Sequence, residues 1–274
     1  MMKEKVPCIV YPLLHDYAEG MKLELPTILT GIYLHGSICL NEFHERRSDV
    51  DLITVVNRPI QPTELEQIIR LHERLKKKYE LYARLEEQFT CEGIISGSLL
   101  GIDGVFPRFA EGMFRGCTNG YIDSTALWLL KKQGIALYGK PISELNLKVS
   151  WQEVIDTMKF NLHTYWTGKV KDRGLYMHEE WIEFGVLTLC RIIYTLEHQS
   201  IVPKRQAGEF ALNFCSNEWN LIIAEALRIR EAMHEESFFA SVEARADAAQ
   251  AFIRYGISYC NNRYGLLRRE TSES

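Results

Sequence analysis

The chain has no apolar run long enough to cross a bilayer, no C-x-x-C pair, no internal repeat, no low-complexity tract and no surplus of positive charge. Each absence narrows the field. A spanning helix needs ~20 consecutive apolar residues, so no membrane partner is expected. The N-terminal Met1-Met2-Lys3-Glu4-Lys5-Val6-Pro7 offers no apolar core of a secretion signal, and a cytoplasmic address is the default expectation. The seven cysteines, Cys8, Cys39, Cys91, Cys117, Cys190, Cys215 and Cys260, are scattered and odd in number. They read as reduced thiols acting as small apolar residues, not as a disulfide frame or a zinc site. A net charge of −4 and a pI near 6.1 argue against broad binding to nucleic acid and suit a cationic small molecule better.

What the chain does have is enough apolar material, 46% of 274 residues, to bury a sizeable core. That length suggests two domains, or one domain with a helical appendage. The pattern predicts a helix over 11–22, with Pro12 early in it and Pro26 beyond it, then a buried strand over 28–34. Gly36-Ser37 breaks that strand, and a short helix over 38–43 is expected to precede the charged loop His44-Glu45-Arg46-Arg47. A second strand, Val50 to Val56, follows. Thr63-Glu64-Leu65-Glu66 fits a capping box opening a helix to about Lys78, and 79–89 alternates as a third strand. The stretch 93–119 reads as loops, 124–132 as a helix ending at Gly134, and 135–138 as an edge strand.

Beyond Ser150 the texture is helical: 151–166, 180–197, 204–214, 217–234 and 238–264, with a frayed tail from Arg268. The expected architecture is therefore α+β. An N-terminal α/β domain with a mixed sheet covers residues 1–148, and an all-α helical bundle covers 149–274.

The chemistry concentrates around Gly36-Ser37 and Arg47-Ser48-Asp49-Val50-Asp51-Leu52. Alternation on a strand puts Asp49 and Asp51 on one face and Val50 and Leu52 on the other. Paired carboxylates repel unless a cation lies between them, and Mg²⁺ prefers a few carboxylates plus phosphate oxygens. A solvated Asp pair at a strand end is the plainer alternative. On the third strand, period-2 alternation sets Glu86 among polar residues and its neighbour Glu87 among apolar ones, unless a bulge shifts the register.

Gly36-Ser37, eleven residues, then Asp49-Val50-Asp51 resembles the signature of the DNA polymerase β-like nucleotidyltransferase superfamily. Four further blocks follow in the order seen in aminoglycoside adenylyltransferases of the streptomycin/spectinomycin group. They are Arg84-Leu85-Glu86, Gly134-Ile135-Ala136-Leu137-Tyr138-Gly139-Lys140-Pro141, the helix segment from Val186 through Arg191 to Tyr194, and Ile201-Val202-Pro203-Lys204-Arg205-Gln206-Ala207.

The resemblance implies a Mg²⁺-dependent transfer of AMP from ATP to a hydroxyl of an aminocyclitol antibiotic, with release of pyrophosphate. It implies Asp49 and Asp51 as metal-binding and catalytic residues and Glu86 as the base that takes the hydroxyl proton. Gly36, Ser37, Ser48, Arg191 and Lys204 are implied for the nucleotide. Backbone N–H groups at a helix start by Gly36 would hold terminal phosphates. Asn41 stands where many relatives have a second glycine. For Arg191 a structural ion pair is the alternative to a phosphate partner. Lys204 opens a helix, where the macrodipole favours an anion beside it. Glu179, Glu180, Trp181 and Glu183 are the candidates for the acceptor, although a solvated acidic helix start reads equally well. The same core could serve another acceptor, such as a lincosamide-type antibiotic or a protein side chain of a toxin–antitoxin pair. A degenerate, non-catalytic nucleotide sensor would lack the intact carboxylate pair.

Overall fold

The computed structural model describes residues 6–99, 104–231 and 236–266. The chain divides into two compact units, Met1–Ser150 and Trp151–Ser274. The first is an α/β unit with a mixed sheet and the second is helical, as the α+β expectation required.

In the first unit, helix α1 (Tyr11–Glu24) carries a proline in its first turn and precedes strand β1 (Leu29–His35). A proline there lacks only an N–H that would have no partner anyway. Strand β2 (Val50–Val56) has the predicted bounds, and helix α2 (Pro62–Lys78) follows. Its capping box is formed by Gln61 and Glu64, not by Thr63 and Glu66, because the helix begins at Pro62, two residues before the start that a Thr63 cap would set. Strand β3 runs Leu85–Cys91. The expected strand from 79 begins late, because Glu80–Arg84 coil into a 3₁₀ turn. A short-range hydrogen bond, Tyr82 N–H to the Tyr79 carbonyl at 3.1 Å, replaces ladder pairing there.

The region read as loops also differs. A single helical turn, Glu92–Ile95, precedes a hairpin of β4 (Phe106–Ala110) and β5 (Met113–Thr118). Glu111 and Gly112 both take positive φ, 51° and 67°, which is the geometry of a two-residue hairpin turn. A Glu-Gly turn lacks the usual Asn-Gly or Asp-Gly signal, so periodicity alone does not expose it. Helix α3 (Ser124–Gln133), capped by Asp123, leads to the edge strand β6 (Ile135–Gly139).

The strand order is β5-β4-β3-β2-β1-β6. Among the described residues only β2 and β3 pair in parallel, joined through α2; the other neighbours are antiparallel. Leu52, Thr54, Glu87 and Phe89 share the face on which α1 and α2 pack, in a core that includes Tyr17, Met21, Ile68, Leu75 and Tyr82. Asp51 and Glu86 lie on the opposite face.

In the second unit, helix α4 (Trp151–Asn161) passes into a π turn over Leu162–Trp166. The central helix α5 (Glu179–His198) is buried along Ile182, Val186, Leu189 and Ile193, and α6 (Lys204–Phe214), α7 (Asn220–Arg230) and α8 (Val242–Tyr264) pack on it. The expected 217–234 helix opens with a 3₁₀ turn at Asn217–Trp219, and residues 232–235 lie outside the described ones. The last helix starts at Val242 and not at 238, because the Ser241 hydroxyl caps it by accepting from the Ala244 N–H. The tail from Arg268 is likewise outside the described residues. Among the described residues, no helix is long and apolar enough to cross a membrane.

Candidate active site

Strand pairing builds the site. Asp51 stands beside Glu86 in the parallel β2–β3 register and opposite His35 in the antiparallel β1–β2 register. Asp49, one residue before β2, shares the parity of Asp51. Glu86 is pushed up to about 7, first by burial and then by the negative charge of Asp49, with Asp51 adding to it and Arg108 opposing. That crowding is the electrostatic signature of three carboxylates converging on one small region. Among the described residues, no three or more His, Cys, Asp or Glu side chains form a ready-made metal cage. Two carboxylates that also need phosphate oxygens to complete a hard cation's shell are compatible with that.

Gly36 belongs to the same site. Its φ is +72°, and a Cβ built on it would fall 2.0 Å from Oδ2 of Asp51. Only glycine lets this turn close against the carboxylate. The residues after it do not form the expected helix. They make a run of turns in which the Leu40 N–H donates to the Gly36 carbonyl at 3.2 Å and the Glu42 N–H to the Ser37 carbonyl at 3.0 Å. Asn41, with φ of 56°, takes the left-handed conformation that a glycine would supply. The helix dipole is therefore absent at this turn, and any anion held here relies on local backbone N–H groups.

The Ser37 hydroxyl donates to the Asp49 carbonyl at 3.4 Å, tying the turn to the start of β2. Ser48 is buried, and its hydroxyl accepts from the His44 N–H at 2.9 Å, which shapes the intervening loop. Two arginines not singled out as site residues stand beside the acids. Arg84 lies 3.8 Å from Asp49 and donates to the Arg46 carbonyl at 2.6 Å; Arg108 lies 3.8 Å from Glu86. Arg84 belongs to the Arg84-Leu85-Glu86 block, whereas Arg108 sits on β4, in a segment whose strand signal is weak.

Glu87 faces the other way. It is fully buried, and Tyr17 and Thr54 both donate to its Oε1, Thr54 at 2.6 Å. Nε2 of His72 lies 2.8 Å from its Oε2, and Nδ1 of His72 contacts the Tyr82 hydroxyl at 2.8 Å. The Phe109 ring stacks on His72 with centroids 3.6 Å apart. Burial pushes the Glu87 carboxyl up and the His72 imidazole down, so for both groups it disfavours the charged form.

In the helical unit, Lys204 at the start of α6 approaches Glu183 at 3.4 Å, and Arg230 reaches the same carboxylate at 2.8 Å. Burial depresses the Lys204 ammonium to about 8; Glu183 opposes that shift, while Arg191 and Arg230 add to it. Lys204, Arg191 and Arg230 thus share a neighbourhood with the buried carboxylate of Glu183. Glu179 also holds the protein's own cations, Arg228 at 3.1 Å and Arg245 at 3.0 Å, and Arg228 and Arg245 also hold the buried Glu225. Glu180 is exposed, and Trp181 is half-buried against Phe184.

Residues 17–99 match the nucleotidyltransferase domain, and residues 148–257 match the C-terminal domain of aminoglycoside adenylyltransferases. No curated protein matches the chain. Among solved structures, the chain is similar to spectinomycin adenyltransferase AAD(9) from Enterococcus faecialis, solved with ATP and spectinomycin. The TM-score is 0.65 and the identity 18%, over 89% of this chain and 99% of that one. With both domain models matched in order, and with paired aspartates beside a register-matched glutamate, the chain is an enzyme belonging to the aminoglycoside adenylyltransferases of the nucleotidyltransferase superfamily.

Proposed function

We propose that the enzyme moves AMP from ATP to a hydroxyl of an aminoglycoside or aminocyclitol antibiotic of the streptomycin or spectinomycin type, releasing pyrophosphate. The observation that carries this reading is the cross-strand pair of Asp51 and Glu86 beside Asp49, within a matched nucleotidyltransferase domain. The match of residues 148–257 supports the acceptor class, as does the likeness to a spectinomycin adenyltransferase.

In this reading Glu86 takes the proton of the acceptor hydroxyl as its oxygen bonds to the α-phosphorus, and the bond from that phosphorus to the bridging oxygen breaks, freeing pyrophosphate. Burial, the largest cause of its shift, holds the Glu86 carboxyl above the ordinary carboxylate range, which favours its acting as a proton acceptor near neutral pH. Asp49 and Asp51 would hold Mg²⁺, which supplies charge neutralisation to the triphosphate and the leaving group. Their donor chemistry fits a hard cation, and their repulsion with Glu86 is relieved by one. The Gly36-Ser37 turn serves the terminal phosphates through backbone N–H groups, and Ser48 shapes the loop that presents Asp49. Lys204 and Arg191 are the cations of the helical unit assigned to phosphate oxygens. Trp181 and the exposed Glu180 remain assigned to the acceptor, whereas Glu179 and Glu183 serve it through the cations they hold.

The test is incubation with α-labelled ATP, Mg²⁺ and a panel of aminoglycosides, aminocyclitols and lincosamides. A labelled aminocyclitol adduct with loss of pyrophosphate is expected. Label appearing only on a lincosamide or on a protein would overturn the acceptor class, and absence of any transfer would overturn the activity.

A further inference from the structure

On the site face of the sheet, the strand order sets three side chains in a row: Arg108 on β4, Glu86 on β3 and Asp51 on β2. Arg108 stands opposite Gln88 in the antiparallel β3–β4 register, so it shares the face of Gln88 and Glu86. Its Nη2 lies 3.8 Å from Oε2 of Glu86. Glu86 therefore has a carboxylate on one flank and a guanidinium on the other. The next residue of β4, Phe109, pairs with Glu87 on the opposite face and stacks on His72 with centroids 3.6 Å apart. That stack pins the strand, because a slip of one residue would send Phe109 to the site and Arg108 to the core.

The hairpin turn beyond Phe109 is braced by a second arginine. Nε of Arg115 donates to the Ala110 carbonyl at 3.3 Å, and its guanidinium pairs with the Glu111 carboxylate. The backbone N–H of Glu111 acts on the Glu86 carboxylate in the same sense as Arg108 does. An ion pair in which 45% of the arginine side chain is open to solvent adds little to stability, so its consequence is one of position.

Position matters here because Asp49 and Asp51 both act on the charge of Glu86. A hard cation collects carboxylate oxygens, and one bound at Asp49 and Asp51 would draw Glu86 in as a third ligand. A carboxylate oxygen given to the metal is lost to the hydroxyl proton. Yet among the described residues no three such side chains are gathered into a metal cage. We propose that Arg108 is a positioning residue for the base: it holds the Glu86 carboxylate off the Asp49–Asp51 pair, so that a divalent cation takes two carboxylates and not three and Glu86 stays turned to the acceptor. The proposal rests on the AMP-transfer reading and adds to it a residue of the β4–β5 hairpin.

The experiment uses the full chain, the variants Arg108→Met, Arg108→Lys, Glu86→Gln and Arg108→Met/Glu86→Gln, and two readouts. In steady-state kinetics with ATP, Mg²⁺ and spectinomycin or streptomycin, Arg108→Met should lower kcat roughly tenfold or more with both KM values within about twofold, and Arg108→Lys should recover most of the loss. On the Glu86→Gln background, Arg108→Met should cost nothing further. In the second readout, Mn²⁺ titrated into nucleotide-free protein and followed by the free-ion EPR signal should bind severalfold tighter to Arg108→Met than to wild type, and the double variant should lose that gain relative to Glu86→Gln. Urea unfolding checks that each variant folds, and Arg108 is exposed enough to be replaced without loss of the fold. A kcat for Arg108→Met within about twofold of wild type overturns the proposal and leaves the transfer reading standing. So does an undiminished effect of Arg108→Met on the Glu86→Gln background, which would mean that Arg108 touches substrate itself. If the wild type transfers AMP to no acceptor, the transfer reading falls and the Mn²⁺ titration decides alone. A gain in Mn²⁺ affinity that persists in the double variant comes from lost repulsion and overturns the proposal, whereas a gain that needs Glu86 supports it.

Discussion

Asp51 and Glu86 are direct neighbours across the one parallel strand pair of the sheet, with Glu87 turned to the opposite face against His72. The parity of a strand thus separates two adjacent glutamates into a candidate base and a buried structural acid. Glu86→Gln should keep ATP binding by calorimetry while turnover falls roughly a thousandfold, the range for loss of a general base. Asp49→Asn should abolish turnover. A Glu86→Gln enzyme as active as wild type would refute the assignment.

Glu87→Gln preserves an acceptor for Tyr17 and Thr54 and a donor toward His72. It should retain turnover within severalfold. Glu87→Ala leaves these buried partners unsatisfied and should cost about 3–5 kcal/mol in urea unfolding. A dead Glu87→Gln with a live Glu86→Gln would exchange their roles.

Gly36→Ala tests the turn against the metal-binding face. A Cβ 2.0 Å from Oδ2 of Asp51, on a backbone with φ of +72°, must displace the carboxylate. Stability should fall by only about 1–2 kcal/mol, the cost of a left-handed alanine, while turnover falls roughly a hundredfold. Equal losses in turnover and in folded fraction would sink this account.

Lys204 has a folded ammonium held at about 8, below its ordinary 10.5, chiefly by burial. The charged form is the disfavoured one in the folded state, so raising the pH through about 8 removes the cation and its strain together. The ATP KM should therefore rise severalfold between about pH 7 and about pH 9, and Lys204→Arg, which stays charged, should flatten that rise. A flat profile for the wild type would remove Lys204 from the nucleotide site.

Local pattern carried a large part of this protein. Strand β2, helix α6, the carboxylates at 49 and 51, and the alternation of Glu86 and Glu87 were legible because each depends on residues close in sequence: a period of two, a period of 3.6, a proline or a glycine. The turns at 36–42 and the hairpin at Glu111-Gly112 were not legible, because asparagine and glutamate there take left-handed conformations more often given to glycine. Tertiary structure alone decided that β3 pairs with β2 in the register that sets Glu86 beside Asp51, and that Glu183 answers to Arg230 and Lys204. Strand pairing and long-range ion pairs are settled by packing between elements far apart in sequence, where no short period leaves a trace.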